Sequence, residues 1–488
     1  MTRRVRVTAL LTLVAVACRT TPPTIHGVAP APAEPSSKWT PPATTLEAAS
    51  REAATSGVPV SFDSSRKYSL AEVVDVALKN SPATRLSWSQ ARAAVDAFGS
   101  SRGRLFPSLS AGLAISRSQS VAQPGRPAGE RSQYGPSLSI AYTVLDFGGR
   151  SGTIDVARQT AIAADFTHNA TVENTILQVE AAAFTYLATR SLRDAAKADL
   201  ETATGALNAA EERRRVGLAT IADVLQARTA RSQSELALQT LEGTLMVTRG
   251  GVAVAMGLPA NTPFDMPEIA AQDSVFFVAQ SVDSLIELAV RNRPELSTSR
   301  AQAQAAQSQI RVARSANSPV LAVTSTGANN GSDVVGFGGR TYAINLGVSV
   351  PVFNGYSNQF DIAAAKDQYQ AALARAAATK QQIIQQVFTA YYTLKTSTDR
   401  VRTSRALLAS ATQSETVARE RYREGVGSIV DLLIAQSALA NARAQSVNTR
   451  WQWRTALAQL AHDVGVLNAR GDTAFAPLRP APDVRPER

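Results

Sequence analysis

Two stretches of this chain run without proline for far longer than ordinary secondary structure requires. One holds 122 residues between Pro136 and Pro259, the other 125 between Pro351 and Pro477. Both are filled with Ala, Gln, Arg, Leu and Thr, all but Thr being good helix formers. Each has one obvious interruption, at Gly217 and at Gly425-Val426-Gly427. Each therefore reads as a helical hairpin, with an outgoing arm of about 60 residues and a return arm of about 40. At 1.5 Å per residue the long arm reaches roughly 90 Å, which no compact globule uses. Val172, Ile176, Val179, Ala183 and Tyr186, and again Leu432, Ala435, Leu439 and Ala442, mark apolar stripes suited to coiled-coil-like packing.

The hairpins belong to an internal repeat. Asn80-Ser81-Pro82 recurs as Asn292-Arg293-Pro294, and Phe106-Pro107-Ser108-Leu109 recurs around Pro319-Val320-Leu321. The segment from Gly217 to Leu225 recurs as Gly425 to Leu433, and Gly257 with Gly465 keeps that spacing. Four anchors in the same order divide the chain into two structural repeats. Each opens with a helical pattern, Leu70 through Phe98 and Val282 through Val312, and then changes to alternation. Leu109, Ala111, Leu113 and Ile115 alternate with Ser108, Ser110, Gly112 and Ser116. Leu138, Ile140, Tyr142 and Val144 alternate with Ser137, Ser139, Ala141 and Thr143. The second half shows the same in Leu321 and Val323, and in Tyr342, Ile344, Leu346, Val348 and Val350. These are four strands in two hairpins, turning near 121–132 and 327–340. The expected layout is a first repeat over 66–258, with a β-hairpin at 107–147 and a helical tip near 213–223. A linker over 259–280 follows, then a second repeat over 281–467, with a β-hairpin at 319–353 and a tip near 421–431.

The ends read differently. Arg3, Arg4 and Arg6 precede the apolar run Val7 to Ala17, the pattern of an export signal over 1–17. Ala15-Val16-Ala17-Cys18 is similar to a bacterial lipobox, so Cys18 is expected to carry lipid and anchor the chain. Ordinary signal cleavage beside a stray cysteine is the alternative, and a twin-arginine signal is a weaker one. Residues 18–65 hold Pro22, Pro23, Pro30, Pro32, Pro35, Pro41, Pro42 and Pro59 and read as an extended tether. The tail at 468–488 is also Pro-rich.

Composition narrows the function. The single cysteine excludes an intramolecular disulfide, and with three scattered histidines it excludes a Cys/His zinc module. The net charge of +11 falls to +8 when 1–17 is removed with its three arginines. On an exported, anchored chain that charge points to anionic membrane surfaces or solutes and not to nucleic acid. No catalytic, cofactor or metal site emerges. His26, His168 and His462 stand isolated, and Gly148-Gly149-Arg150 and Gly336-Phe337-Gly338-Gly339 lack a P-loop context. Trp451 and Trp453 are expected to pack, or to lie by the equator of the helical part.

No run of 18 apolar residues offers a transmembrane helix. Strands with one small polar and one apolar face instead fit an outer-membrane β-barrel. Four strands cannot close, and open edges in lipid are prohibitive, so several copies must combine. Two copies would give eight strands with a filled interior. Three give twelve and an open lumen, a homotrimer with a pore. A soluble β-sandwich stalked on coiled coils is the alternative.

With these residues in view, the sequence resembles the TolC-like outer-membrane efflux protein family, in its lipoprotein branch, from about Tyr68 to Leu467. The Asn-x-Pro motifs, the Phe-Pro-Ser-Leu entry to the first strand, Val350-Pro351-Val352-Phe353-Asn354-Gly355 after the fourth, and the duplicated Gly-x-x-[Thr/Ser]-Ile-x-Asp-[Val/Leu]-Leu turn carry the likeness. It implies an α+β membrane protein: a trimeric twelve-stranded barrel continued by a long α-helical periplasmic tunnel. It also implies partners, a periplasmic adaptor and an inner-membrane pump that delivers small toxic solutes. Two other readings remain, a duct for type I protein secretion and a non-conducting structural envelope lipoprotein.

The two turns have a physical reading of their own. Gly217, Gly425 and Gly427 permit the backbone of a helix stop. Thr220 and Ser428 suit the N-caps of the returning helices, with Asp223 and Asp431 three residues on as capping-box partners. The resemblance adds a second role. It places Asp431 on a ring of acids that constricts the tunnel and selects cations, and Asp223 and Tyr422 on a network that closes it. Ile434 stands where the family has a second acid, and Gly427 where it has a gating arginine. The gate is therefore expected to be looser, or to use Arg421 and Arg423.

Overall fold

A computed structural model describes residues 66–121, 124, 129–267, 280–334, 336 and 338–467, with positions 44, 47, 51 and 63 before them. The signal segment, Cys18 and the tail at 468–488 lie outside the described residues, as does most of the tether. The chain divides into two units, Met1–Asp63 and Ser64–Arg488, and every element below lies in the second.

The opening helical pattern of each repeat is two helices. α1 (Leu70–Asn80) gives way to α2 (Pro82–Gly103) in the first repeat. Proline lacks an N–H and biases the preceding residue to extended backbone, so Ser81 sits at φ −59, ψ 125 and the helix restarts at Pro82. A hairpin follows, β1 (Ser108–Ser120) and β2 (Gly129–Leu145). Then come α3 (Gly149–Arg215), 67 residues long, and α4 (Ile221–Ala255), 35 residues long. The second repeat restates the series as α5 (Val282–Asn292), α6 (Pro294–Ser315), β3 (Val320–Ser332), β4 (Gly339–Ser349), α7 (Ser357–Arg423) and α8 (Ile429–Val464). Arg293, at φ −61 and ψ 120, breaks it where Ser81 breaks the first. β3 runs on through Gly327-Ala328-Asn329-Asn330, a segment that reads as loop. Its backbone pairs with Arg340 and Thr341, which leaves the small and amide side chains at the rim.

All four strands form one antiparallel sheet in the order β1-β2-β3-β4. The register aligns Leu109 with Ile140, Tyr142 with Val323, and Val323 with Leu346, so one face is apolar across the sheet. The other carries Ser110, Ser139, Thr324 and Asn345, and nothing larger than Thr or Asn in these rows. The apolar face is bare: Leu113 is 79% exposed and Tyr342 87%. Strand turns into long helix at a two-residue left-handed corner in both repeats, Phe147-Gly148 (φ 49 and 100) and Gly355-Tyr356 (φ 66 and 64). No helix among the described residues is long and apolar enough to cross a membrane.

α3 and α7 are the long struts. α6 packs between them near the sheet, and α8 packs against both nearer the tips. Midway, the Asn-x-Pro breaks meet the glycines that end the return helices. A Cβ on Gly257 (φ +74) would lie 2.8 Å from the Asn80 carbonyl oxygen, and one on Gly465 (φ +75) 3.1 Å from Asn292 Cβ. Two motifs about 170 residues apart in each repeat thus form one joint. Beside it lies the main core, with Leu285, Leu296, Val387, Trp453, Leu460 and Val464.

Candidate tip constriction

The far ends of the helical hairpins gather the sequence-predicted residues. At the first turn Leu218 N donates to the Arg213 carbonyl (2.7 Å) and Gly217 adopts φ +81, a Schellman stop. Val426 N to Arg421 O (2.9 Å) with Gly425 at φ +80 repeats it. Gly427 differs from the expectation. It has no left-handed φ, and it is small because a Cβ there would meet Arg421 Cβ at 3.1 Å and Tyr422 N at 3.2 Å.

The two N-caps are unequal. Thr220 N and Oγ1 donate to Asp223 Oδ2 at 2.7 and 2.9 Å, while Asp223 N returns 3.3 Å to Thr220 Oγ1. At the second turn Asp431 N donates to Ser428 Oγ at 3.1 Å, but Ser428 N reaches Asp431 Oδ2 at only 3.4 Å. Both are capping boxes. Asp223 is half-buried and committed to its cap, whereas Asp431 is exposed and accepts at the edge of hydrogen-bond range. Its charge is available to the space beyond the tip.

Tyr422 is buried among Ala206, Ile429 and Leu432. No hydrogen bond joins its Oη to Asp223; the Oη is buried without a partner. Its contact across the hairpins is Arg213, whose Nη1 donates to the Tyr422 carbonyl at 2.6 Å while the guanidinium lies 4.7 Å from the ring centroid. Arg423 pairs with Glu420 on its own helix, and Ile434 is exposed beside a groove of about 550 Å³ between α4 and α8.

These features recur in known proteins. The model of the outer membrane efflux proteins matches residues 73–258 and 285–466, both repeats and both tips. This chain belongs to the outer membrane efflux protein family. Protein CyaE of Bordetella pertussis is 27% identical over 399 residues, covering 80% of this chain and 83% of that one. The toluene efflux pump outer membrane protein TtgC of Pseudomonas putida is 25% identical over 377 residues, 76% of each. Among solved structures, the outer membrane protein VceC of Vibrio cholerae superposes with a TM-score of 0.73 at 18% identity, over 81% of this chain and 96% of that one. The chain is thus an efflux channel protein of the outer membrane whose helices extend into the periplasm; members of the family are channels, not enzymes.

In this efflux protein the sequence reading missed a buried polar cluster at the equator. Arg293 donates from Nε and Nη2 to Glu295 (2.9 and 3.0 Å), from Nη2 to Gln386 (3.1 Å), and from Nη1 to Asp463 (3.3 Å) and the His462 carbonyl (3.2 Å). His462 is not isolated: Nδ1 meets Asp463 at 2.9 Å and Nε2 meets Asn174 at 3.1 Å. Adjacent Glu173 has its pKa pushed up to about 7 by burial, with Glu295 adding and His462 and Arg293 opposing. The first repeat has Ser81, Val254 and Ala255 at the matching places, so no pattern common to the two repeats announces the cluster. Trp453 packs in the core and donates to Thr398 (3.2 Å).

Proposed function

We propose that three copies of this chain close a twelve-stranded barrel and a helical tunnel, forming the outer-membrane duct of a tripartite efflux system. The observation that carries this is the pair of open edges. β1 and β4 are both unpaired on their outer sides. β1 follows α2, which packs mainly on α3, and β4 leads into α7, which packs on α5, α6 and α8. The sheet of each chain therefore has two borders that differ and continue into helices. Such unlike borders suit a heterologous contact, which forms a ring when its rotation closes. A bare apolar sheet face in a protein of the outer membrane suits lipid, where only a closed barrel satisfies the strand edges. Twelve strands leave a lumen lined mainly by Ser, Thr, Asn, Ala and Gly, with Gln133 and Arg131 toward the β1–β2 turn.

In this duct Asp431 forms a ring of three carboxylates at the narrow end and favours cations; Tyr422 helps hold the hairpins closed through its packing, while Asp223 serves its own N-cap. An adaptor and an inner-membrane pump deliver small solutes to the tip. TtgC's association with toluene efflux supports a small-molecule cargo. Lipid on Cys18 anchors the N-terminus. Native mass spectrometry of the detergent-solubilised protein tests the ring. Three copies are expected; a monodisperse monomer or dimer overturns it.

A further inference from the structure

We infer that Arg213 is the residue that ties the two helical hairpins of one chain together at the tip, a clasp that the repeat does not reproduce between chains. Arg213 closes the first hairpin's outgoing helix, and Tyr422 closes the second's. The guanidinium uses both parts of Tyr422 at once, the carbonyl through Nη1 (2.6 Å) and the ring by stacking (4.7 Å). The carbonyl is among the last of α7, where a cation is favoured, and it also accepts from Gly425 N at 3.1 Å, so the guanidinium joins the helix stop itself. Gly425 leaves the approach open, since a Cβ there would stand 3.2 Å from Arg213 Nη2. The ring cannot swing away, because Tyr422 is 7% exposed and wedged against Ala206, Ile429 and Leu432. Farther from the tip, Arg443 of α8 pairs with Asp199 of α3, and at the equator His462 of α8 meets Asn174 of α3, so the clasp is the polar tie nearest the tip among those described. The arginines on the second hairpin do not do this work. Arg423 binds Glu420 on its own helix, and Arg421 is exposed.

The repeat shows why the clasp is confined to one chain. α3 and α7 have equal lengths and a constant offset of 208 between their ends. That offset carries Arg213 to Arg421, and Tyr422 back to Arg214. In the proposed ring, the junction between neighbouring chains would set Arg421 against Arg214, two like charges with no ring and no clasp. On that reading the six hairpins move as three coupled pairs that part at the chain boundaries.

Hydrogen exchange read by mass spectrometry on the full-length protein in detergent tests this without requiring conduction, so a failure of the duct reading and a failure of the clasp are told apart. Arg213→Ala should speed exchange across the hairpins, at Gly425 to Ser428 on the other arm, by about tenfold, the ratio for one hydrogen bond of ordinary worth. Arg213→Lys keeps a donor and a cation and should restore part of the protection. Arg421→Ala should leave Gly217 to Thr220 unchanged. If Arg213→Ala alters only its own hairpin, or nothing, the clasp is refuted. If Arg213→Ala loosens the whole chain, Arg213→Lys decides: a gain at Gly425 to Ser428 smaller than that of Ala supports the clasp, and none refutes it.

Discussion

Glu180, on α3, is an acid held out of water: 3% of it is exposed, and burial alone pushes its pKa up to about 7. Glu173, two turns before it, is raised to about 7 for the same leading reason. A carboxyl raised in the folded state holds its proton more tightly there than in the unfolded chain, whose ordinary value is 4.5. The folded state therefore gains stability below pH 4.5 and loses it as pH rises to 7 and above. Glu180→Gln, which keeps the shape without the charge, should flatten that fall. Thermal unfolding at pH 5 and pH 8 measures it: the wild type should lose more between the two than the variant, and equal losses would show that Glu180 is not the source. At this scale the sequence was least legible. Thr220, Asp223, Ser428 and Asp431 could be read as caps because a cap is local in sequence. Gln386, His462 and Asn174 come from three helices and Arg293 from the break between α5 and α6, and only the fold brings them together.

Among the elements, the Asn-x-Pro joint marks where each return helix ends. Gly257 takes φ +74 with the Asn80 carbonyl 2.8 Å from where a Cβ would sit. Gly257→Ala should therefore cost about 2 kcal/mol in left-handed strain and displaced backbone. Gly243 lies inside α4 with open space around it, and Gly243→Ala should stabilise by about 0.5–1 kcal/mol. Unfolding midpoints should move in opposite directions, and a fall of both would refute the account of the joint. Helix hairpins and strands were legible because proline absence and two-residue alternation are strong periodic signals. The helix break at Ser81 and Arg293 and the extension of β3 to Ser332 were less so. There a proline inside a helical pattern, and an Ala-Asn-Asn run inside a strand, invite the wrong continuation. Gly427 was legible as a needed glycine but not for its reason, since close approach and left-handed backbone leave the same letter in a sequence.

The unit from Ser64 onward has one apolar face on its sheet, two unlike borders and two glycine-stopped tips. The proposed closed ring accounts for those features together, and in it the tunnel narrows where Asp431 meets its copies. Three carboxylates within the roughly 10 Å screening length of 0.1 M salt would outweigh arginines farther off. Ionic current through a planar bilayer across a salt gradient tests this most directly. The full-length protein should give discrete conducting steps with a cation-selective reversal potential, and Asp431→Ala should move that potential toward zero. Protein that enters the bilayer and passes no current would contradict the account.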